Sequence, residues 1–316
     1  MPNLKNIKVR IKSIKSTQKI TQAMKLVAAS KVRKAQQRVL NSRPFTQKVS
    51  NFLLNTASAI EDIDKKDIPL MAQREVKSVG VIIITSDRGL CGSYNTNIIK
   101  KALKRVVDLE KSGLTPKLIL IGNKANNFFR RAKTETLESF TQMPSVPSVE
   151  LANLIAQAAE KAYINKTVDQ VEIIGTDFIS MLRSTVYVKH FLPIKSEPKA
   201  ETSQHQHSST SAHPAPEGAR LAQSLLERQH TSTILFEPSL ESVLESLIPL
   251  YLSNVIYHAL LEANCSELAS RMNAMSNATK NARELIDKLT IIYNKARQAG
   301  ITQELTEIVG GVEALK

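Results

Sequence analysis

An apolar repeat with spacings of three and four residues occupies both ends of the chain. That spacing predicts two long amphipathic helices, each with a narrow apolar face. A helix of about sixty residues is roughly 90 Å long, so the simplest arrangement pairs the two as an antiparallel coiled coil that projects from the rest of the protein. The N-terminal members of the repeat are Leu4, Ile7, Ile11, Ile14, Thr17, Ile20, Met24, Val27, Val32, Ala35 and Val39. The C-terminal members are Leu261, Cys265, Leu268, Met272, Met275, Ala278, Ala282, Leu285, Leu289, Ile292, Ala296 and Ala299.

The middle of the chain has short apolar runs separated by helical patterns, which is typical of a parallel sheet covered by helices. Aromatic residues make up only 4% of the chain and Trp is absent, which argues against an all-β sandwich or barrel. We therefore predict an α/β fold in which a Rossmann-like domain carries the long coiled coil. Strands are expected at Val79–Thr85, Lys117–Gly122, Val171–Ile179 and Thr185–Phe191, and helices at Asn95–Lys111, Asn123–Ala132 and Ser148–Lys166.

Four segments follow from these patterns: an N-terminal coiled-coil helix (1–60), an α/β domain (75–194), a low-complexity insertion (195–230) and a C-terminal coiled-coil helix (235–316). We call the two terminal helices the shaft and the α/β domain the foot. The insertion is polar and Pro-punctuated, so it buries too little apolar surface to order itself. His205, His207 and His213 lie in it without a Cys or carboxylate cluster, so we expect no specific metal site.

Positive charge is concentrated in the first helix. The chain has 43 Lys and Arg against 29 Asp and Glu, a formal net charge of +14. The first sixty residues hold thirteen of the basic residues and no acidic one, so the remainder is almost neutral. This helix should meet an anionic partner. One hypothesis is nucleic acid, although aromatic residues for base stacking are scarce there; the other is an acidic protein surface.

No constellation in the sequence indicates catalysis. Cys91 and Cys265 have neither a disulfide framework nor zinc-ligand spacing, so we expect reduced thiols. There is no Ser/His/Asp order, no HExxH and no spaced carboxylate pair. We therefore expect no enzyme activity, no metal and no bound cofactor. No apolar run approaches the ~18 residues that span a bilayer, so any membrane association should be peripheral.

The segment Thr85–Asn95 (TSDRGLCGSYN) follows a predicted strand and precedes a predicted helix, where many α/β folds bind phosphate. It fits neither the dinucleotide fingerprint nor the P-loop, and it lacks the P-loop lysine. Cys91 has no His beside it in the sequence to activate it. We interpret the segment as a tight turn that uses Gly89 and Gly92 for backbone freedom. The alternative, a nucleotide-binding enzyme built on this loop, predicts saturable nucleotide binding by the isolated chain.

The C-terminal end stays apolar and helical, whereas chain ends usually fray and become polar. Leu305, Ile308, Val309 and Val312 continue the apolar pattern almost to the last residue. An isolated tip with such a surface needs a socket in another molecule.

Three segments together resemble the gamma subunits of F-type ATP synthases: Ile20–Gln36 (ITQAMKLVAASKVRKAQ), Thr85–Asn95, and Arg271–Gly311, the last being highly specific. The similarity extends over the whole chain except about 195–230. The resemblance implies that the shaft is a central stalk turning inside a hexamer of three alpha and three beta subunits. The foot would then sit on the ring of membrane c subunits beside the epsilon subunit, and nucleotides would bind to alpha and beta.

The same resemblance implies roles for individual side chains. It assigns two sets of residues. The contacts to beta subunits would be Met24, Lys25, Arg271, Arg297, Gln298, Thr302, Glu304 and Glu307. The apolar bearing would be Leu305, Ile308, Val309 and Val312.

Two further expectations concern the insertion and the location. Plant members of the family carry a regulatory Cys pair near this region, but the insertion here has no Cys, so we interpret it as a spacer. The MPNLK start fits a protein on the cytoplasmic face of a bacterial inner membrane, with an organellar inner membrane as the alternative.

Overall fold

The computed structural model describes residues 4–58, 69–132, 134–194 and 240–314. Within these ranges, two long helices come from the two ends of the chain, and five strands and three shorter helices lie between them. In chain order the elements are α1 (Leu4–Ser58), β1 (Ser78–Ile84), α2 (Tyr94–Lys111), β2 (Thr115–Ile121), α3 (Asn123–Phe129), β3 (Glu135–Phe140), α4 (Val149–Ile164), β4 (Gln170–Phe178), β5 (Ser184–Leu192) and α5 (Leu240–Ala314).

The strands form one sheet in the order β3-β2-β1-β4-β5. β1 pairs in parallel with β2 and with β4, β2 pairs in parallel with β3, and β5 runs antiparallel to β4 along the edge. β1 is the central strand, and its residues from Val79 to Ile84 are all buried. A continuous buried run of this kind is expected where helices cover both faces of a parallel strand.

Helices cover the two faces of the sheet and make the foot a three-layer structure. On one face, Val81 and Ile83 pack in a cluster with Ile98 and Ala102 of α2 and with α3. On the other face, Ile82 and Ile84 pack with Ile155 of α4 and with Ile248, Leu252 and Ile256 of α5. The first third of α5, as far as Ala263, therefore belongs to the core of the foot, and the rest of the helix extends beyond that core.

In the shaft, α1 and α5 pack side by side in opposite directions. Two hydrogen bonds show this: the Thr279 hydroxyl donates to Oγ1 of Thr21 (2.9 Å), and the Thr46 hydroxyl donates to Oδ1 of Asn254 (2.8 Å). These pairs fix the register of the two antiparallel helices. In both pairs the residue numbers add up to 300, so a residue of α1 lies beside the residue of α5 that brings the sum to 300. Leu4 thus lies near the level of Ala296. The predicted α/β fold class with a long antiparallel helix pair is confirmed.

The seam of the shaft on α1 differs from the predicted apolar stripe by one residue. After Ile14 the side chains turned inward are Gln18, Thr21, Lys25 and Ala28, all buried or half-buried. Two residues assigned to the stripe, Ile20 and Val27, are instead 58% and 57% exposed. The prediction was wrong after Ile14. An unbroken heptad repeat from Leu4 places the next inward residue four positions after Ile14, at Gln18, although Gln18 is polar; the prediction instead moved three positions, to Thr17.

The seam on α5 shows the same shift. Ile286 is 8% exposed and faces α1, whereas Leu285 and Ile292, which the sequence placed on the apolar face, are 40% and 47% exposed. The upper shaft consequently exposes apolar side chains on its outer surface, which is unusual for a two-helix coil with no further partner.

β3 was not predicted from the sequence, and the length of the apolar stretch in α5 was underestimated. β3 has mostly exposed side chains at a sheet edge, so its sequence, ETLESF, lacks the buried strand pattern. A stretch within Val243–Val312 reaches a mean hydropathy of 1.2, long and apolar enough by length and composition to cross a membrane, contrary to the sequence expectation. The core helix of a soluble protein can meet the same criterion, and 33% of this stretch is buried within the protein. The insertion at 195–230 lies outside the described residues.

Candidate functional site

The outer surface of α1 is a continuous basic face. Of its thirteen basic side chains all but Lys25 and Arg43 are exposed, and α1 contains no acidic residue. Exposed apolar side chains at Ile20, Leu26 and Val27 interrupt this face at the middle of the upper shaft. Since exposed apolar groups gain nothing from contact with phosphates, this mixed surface suits an acidic protein partner with apolar side chains better than nucleic acid.

Met24 and Lys25 lie on this part of the shaft, and both are half-buried. The register of the helices puts Lys25 at the level of Met275, about one helical turn above Arg271. These three residues, predicted to contact a beta subunit, therefore lie within about one to two helical turns of one another along the shaft.

Arg271 is held mainly by its own chain. Its side chain is 16% exposed, forms an ion pair with Glu267, and donates through Nη2 to the carbonyl oxygen of Gly89 (3.2 Å). Burial raises the pKa of Glu267, which opposes the stabilising effect of Arg271 on its carboxylate. Arg271 thus links α5 to the loop after β1, a link that its sequence position did not reveal.

The tip of α5 extends alone beyond the start of α1. Residues 301–314 add about 21 Å of single helix above the level of Leu4. The predicted bearing residues are 57%, 63%, 66% and 55% exposed, in the order Leu305, Ile308, Val309 and Val312. The predicted polar contacts of the tip, Arg297, Gln298, Thr302, Glu304 and Glu307, are exposed as well. Such an apolar surface on an isolated helix requires a partner that encloses it.

The loop after β1 is held by its own polar side chains. Thr85 donates through Oγ1 to the carbonyl oxygen of Ile121 (2.9 Å) and accepts from the amide of Ala125 (2.9 Å), and Asp87 accepts from the amide of Asn123 (2.8 Å). Gly92 has a φ of +59°, which an L side chain rarely adopts, and it faces Ala274 of α5. The loop therefore fastens the turn and contacts the shaft, as expected for a structural turn.

Cys91 and Cys265 are both free and buried. Burial, and secondarily the charge of Glu267, raises the pKa of the Cys91 thiol, while burial raises the pKa of Cys265 to about 12. A buried thiol with a raised pKa is a poor nucleophile.

A cavity of about 180 Å³ lies between this loop and α5, with Lys31, Arg88, Glu267 and Arg271 among its lining residues. It lies at the carboxyl edge of the sheet, where open α/β folds bind ligands, and side chains of both shaft helices, such as Lys31 and Leu268, form part of its lining. Its volume is below the roughly 300–1,000 Å³ typical of small-molecule sites. Within the described ranges, no group of three or more His, Cys, Asp or Glu could hold a metal ion.

A buried polar cluster joins the shaft to the end of β4. Glu262 of α5 is 5% exposed; its Oε1 accepts from Arg43 of α1 (3.0 Å) and lies 3.3 Å from Nε2 of His258. Its Oε2 accepts from the amide of Phe178 (2.9 Å), and Arg43 also donates to the Phe178 carbonyl oxygen (3.0 Å). His258 is in turn 3.0 Å from the hydroxyl of Ser42. We call Arg43, Glu262, His258 and Phe178 the junction cluster.

The junction cluster holds an ionised carboxylate. Burial alone would raise the pKa of Glu262, but hydrogen bonds from His258, the Phe178 amide and Arg43 outweigh it and lower the pKa to about 2. The cluster could not be assembled from sequence, because its members come from three elements far apart in the chain.

Comparisons with known proteins identify the family to which this chain belongs. The family model described as ATP synthase matches residues 3–315. The chain is 44% identical to the ATP synthase gamma chain of Trichormus variabilis, with both chains covered completely. It is also 44% identical to that of Prochlorococcus marinus, with 98% of this chain and 99% of the relative covered. None of the relatives or structures named here is a nucleic-acid-binding protein.

Solved structures with a similar fold also come from ATP synthases. The central stalk and c-ring structure of the Tetrahymena thermophila mitochondrial ATP synthase contains a chain with a TM-score of 0.56 and 27% identity, covering 82% of this chain and 99% of that one. A chain of the Euglena gracilis mitochondrial ATP synthase has a TM-score of 0.64, covering 99% and 94%, and its 17% identity shows the fold alone. With a family model and close relatives spanning the full length of a helical shaft on an α/β foot, the chain belongs to the ATP synthase gamma-chain family.

Proposed function

We propose that this chain is the central-stalk rotor of an F-type ATP synthase. The shaft turns inside a ring of three alpha and three beta subunits, and the foot rests on the ring of c subunits beside epsilon. The single observation that supports this most strongly is the tip of α5, a lone helix with exposed apolar side chains at Leu305, Ile308 and Val309 in a gamma-chain family member. Such a tip fits a socket that encloses a turning helix.

The mechanism is mechanical rather than catalytic. Proton flow through the membrane turns the c ring and the foot with it, and the asymmetric shaft drives each beta subunit in turn through conformations of different nucleotide affinity. Nucleotides bind to alpha and beta, and this chain holds no cofactor of its own. Its task requires a stiff shaft, a rigid joint to the foot and a low-friction tip.

The surfaces of the shaft suit separate contacts. The exposed basic face of α1, together with Met24, Lys25 and Arg271, meets acidic beta-subunit loops near the base of the head. Arg297, Gln298, Thr302, Glu304 and Glu307 make polar contacts to beta around the tip. Leu305, Ile308, Val309 and Val312 form the bearing surface, because side chains without hydrogen-bonding groups resist rotation least.

The proposed location is the cytoplasmic face of a bacterial inner membrane, where the chain is peripheral and held by its partners. Its relatives from Trichormus and Prochlorococcus support a bacterial complex, and an organellar inner membrane is the alternative.

Reconstitution with an alpha and beta pair tests the proposal. We expect the chain to join the complex at one copy per ring, to stimulate ATP hydrolysis and to rotate a probe fixed to the foot in steps. The proposal fails if the chain stays out of the ring. Binding to duplex DNA with a steep dependence of affinity on salt would then favour the nucleic-acid hypothesis instead.

A pair of variants tests the bearing. We expect Leu305→Glu to slow rotation and weaken incorporation, because a charge would enter an apolar socket. The matched control Asn281→Glu adds the same charge to an exposed polar position of the same helix, outside the proposed contacts, and should leave both unchanged. Equal effects of the two substitutions would contradict an apolar bearing.

Truncation separates the shaft from the foot. A chain that stops after Gly300 should lose coupling and assembly while its foot unfolds at the wild-type temperature, since nothing in the foot contacts residues 301–312 in the described structure. A comparable loss of foot stability would count against a free tip.

A further inference from the structure

The two helices of the shaft are attached to the foot in different ways. The first third of α5 lies in the foot core, with Leu244, Ile248, Leu252 and Ile256 packed against the sheet and α4. α1 instead packs mainly along α5, and its side chains reach the foot at few points. Twist applied to the shaft could therefore make α1 slide along α5 unless α1 is also fixed to the sheet.

Arg43 provides that fixed point. Its Nη2 donates both to Glu262 Oε1 and to the Phe178 carbonyl oxygen, each at 3.0 Å, so one guanidinium nitrogen joins α1 to α5 and to β4. Glu262 completes the arrangement by accepting from the Phe178 amide through Oε2. Both backbone groups of Phe178, the last residue of β4, are thus tied to the two shaft helices.

Its position makes this tie mechanically effective. Phe178 belongs to an apolar cluster with Val32, Ala35 and Val39 of α1 and with Cys265 of α5, just above the foot core. Ser42 and His258 add a second link between the helices one turn away. The cluster is where α1 is tied to the end of β4, whereas the contacts of Arg271 with Gly89 and of Ala274 with Gly92, farther along the shaft, join only α5 to the foot.

We propose that the junction cluster, through Arg43 and Glu262, fixes α1 to the foot and keeps the two shaft helices from sliding under torque. These are positioning residues: they contact no nucleotide and act through the orientation of α1. The inference deepens the proposed function, on which its biological meaning rests, but the fixation itself can be measured in the isolated full-length chain.

Spin labels on α1 and the foot measure the fixation directly. The exposed residues Arg33 of α1 and Lys161 of α4 are replaced by Cys and labelled, and the distribution of distances between the labels is recorded by pulsed electron paramagnetic resonance. Glu262→Gln in this background should broaden the distribution, because the neutral amide cannot accept from Arg43, His258 and the Phe178 amide together. A distribution as narrow as that of the parent chain would overturn the proposal.

The chain supplies a matched control. Glu172 of β4 is also 5% exposed and accepts from Arg105 of α2, with Nε to Oε2 at 2.8 Å and Nη2 to Oε1 at 2.6 Å. Glu172→Gln removes an equally buried Glu–Arg pair within the foot, away from the shaft. It should lower stability without broadening the distances. If Glu172→Gln broadens the distance distribution as much as Glu262→Gln does, the loss of any buried Glu–Arg pair has this effect, and the inference is refuted.

Arg43→Lys guards against a variant that fails to fold. The Arg43 side chain is 40% exposed, so Lys keeps the charge without a buried vacancy. The ammonium of Lys lies one bond closer to the backbone than Nη2 and lacks the planar N–H geometry of a guanidinium, so it cannot take the position from which Nη2 contacts both Glu262 and Phe178. Arg43→Lys should broaden the distances and Arg105→Lys should not.

The rotating complex then separates the two proposals. In stalled complexes, a probe on the foot should fluctuate over a wider angle with Arg43→Lys than with Arg105→Lys, with ATP hydrolysis retained in both. If the wild-type complex fails to rotate, the proposed function falls while the distance result stands. If it rotates and the angular widths are equal, the junction cluster is not the joint.

Discussion

Gly122, which links β2 to α3, should tolerate no side chain. Its φ of +89° and ψ of 146° lie in a region that essentially only glycine adopts, and a Cβ there would lie 2.4 Å from the Thr85 carbonyl oxygen and 2.8 Å from its carbonyl carbon. The strained backbone alone costs about 1–3 kcal/mol, and the overlap is with backbone atoms that cannot rotate away. We therefore expect Gly122→Ala to lower the free energy of unfolding by about 3 kcal/mol or more.

Gly113 is the matched control. It follows α2 with a φ of +76°, but a Cβ there would meet nothing within 4 Å, so Gly113→Ala should cost only about 1 kcal/mol. Urea unfolding followed by tyrosine fluorescence measures both variants, because Trp is absent and Tyr94 and Tyr163 are buried in the foot. If Gly122→Ala costs no more than Gly113→Ala, the close approach to Thr85 does not constrain the loop and this reasoning is refuted.

Three further outcomes follow from burial and charge. The pKa of Glu262 is lowered from 4.5 to about 2, which contributes about 3 kcal/mol of stability above pH 4.5. That contribution is lost as the pH falls toward 2, so urea unfolding should show the difference in unfolding free energy between wild type and Glu262→Gln shrinking over that range. Ile286→Ala should cost about 2–4 kcal/mol by thermal unfolding of the shaft, whereas Leu285→Ala should cost less than about 1 kcal/mol; reversed values would restore the predicted seam. Cys91 and Cys265 should react with a thiol reagent at pH 8 far more slowly in the native chain than in urea, and fast native labelling would contradict their burial.

Much of the foot could be predicted because its strands are buried on both faces. The runs around Val81 and Ile173 are continuous and apolar, and helical patterns separate them, so the α/β class followed directly. β3 escaped because an edge strand exposes most of its side chains. The resemblance of three segments supplied the family, which periodicity alone could not have done.

The shaft was predicted as a pair of helices but with the wrong seam. Small and polar residues such as Thr21 and Ala28 occupy the true seam, while Ile20 and Val27 point outward, so local polarity favoured the wrong step. Only the unbroken heptad, or the position of Thr279 on the partner helix, identifies the inward face.

The junction cluster could not be predicted, because most of its contacts join residues 84 or more positions apart, such as Phe178 with Glu262 and Arg43 with both. Nothing local distinguishes Glu262 from the other carboxylates of α5.

Because the first helix pairs with the last, the ribosome releases α1 long before its partner exists. Ser42 meets His258, 216 positions later, so at about 5–20 residues per second α1 waits roughly 10–40 s for the surface that it packs against. The foot waits too, since its core includes Ile248 and Leu252. During that interval the thirteen positive charges of the first sixty residues, with no acidic residue among them, repel a second copy of the unpaired helix.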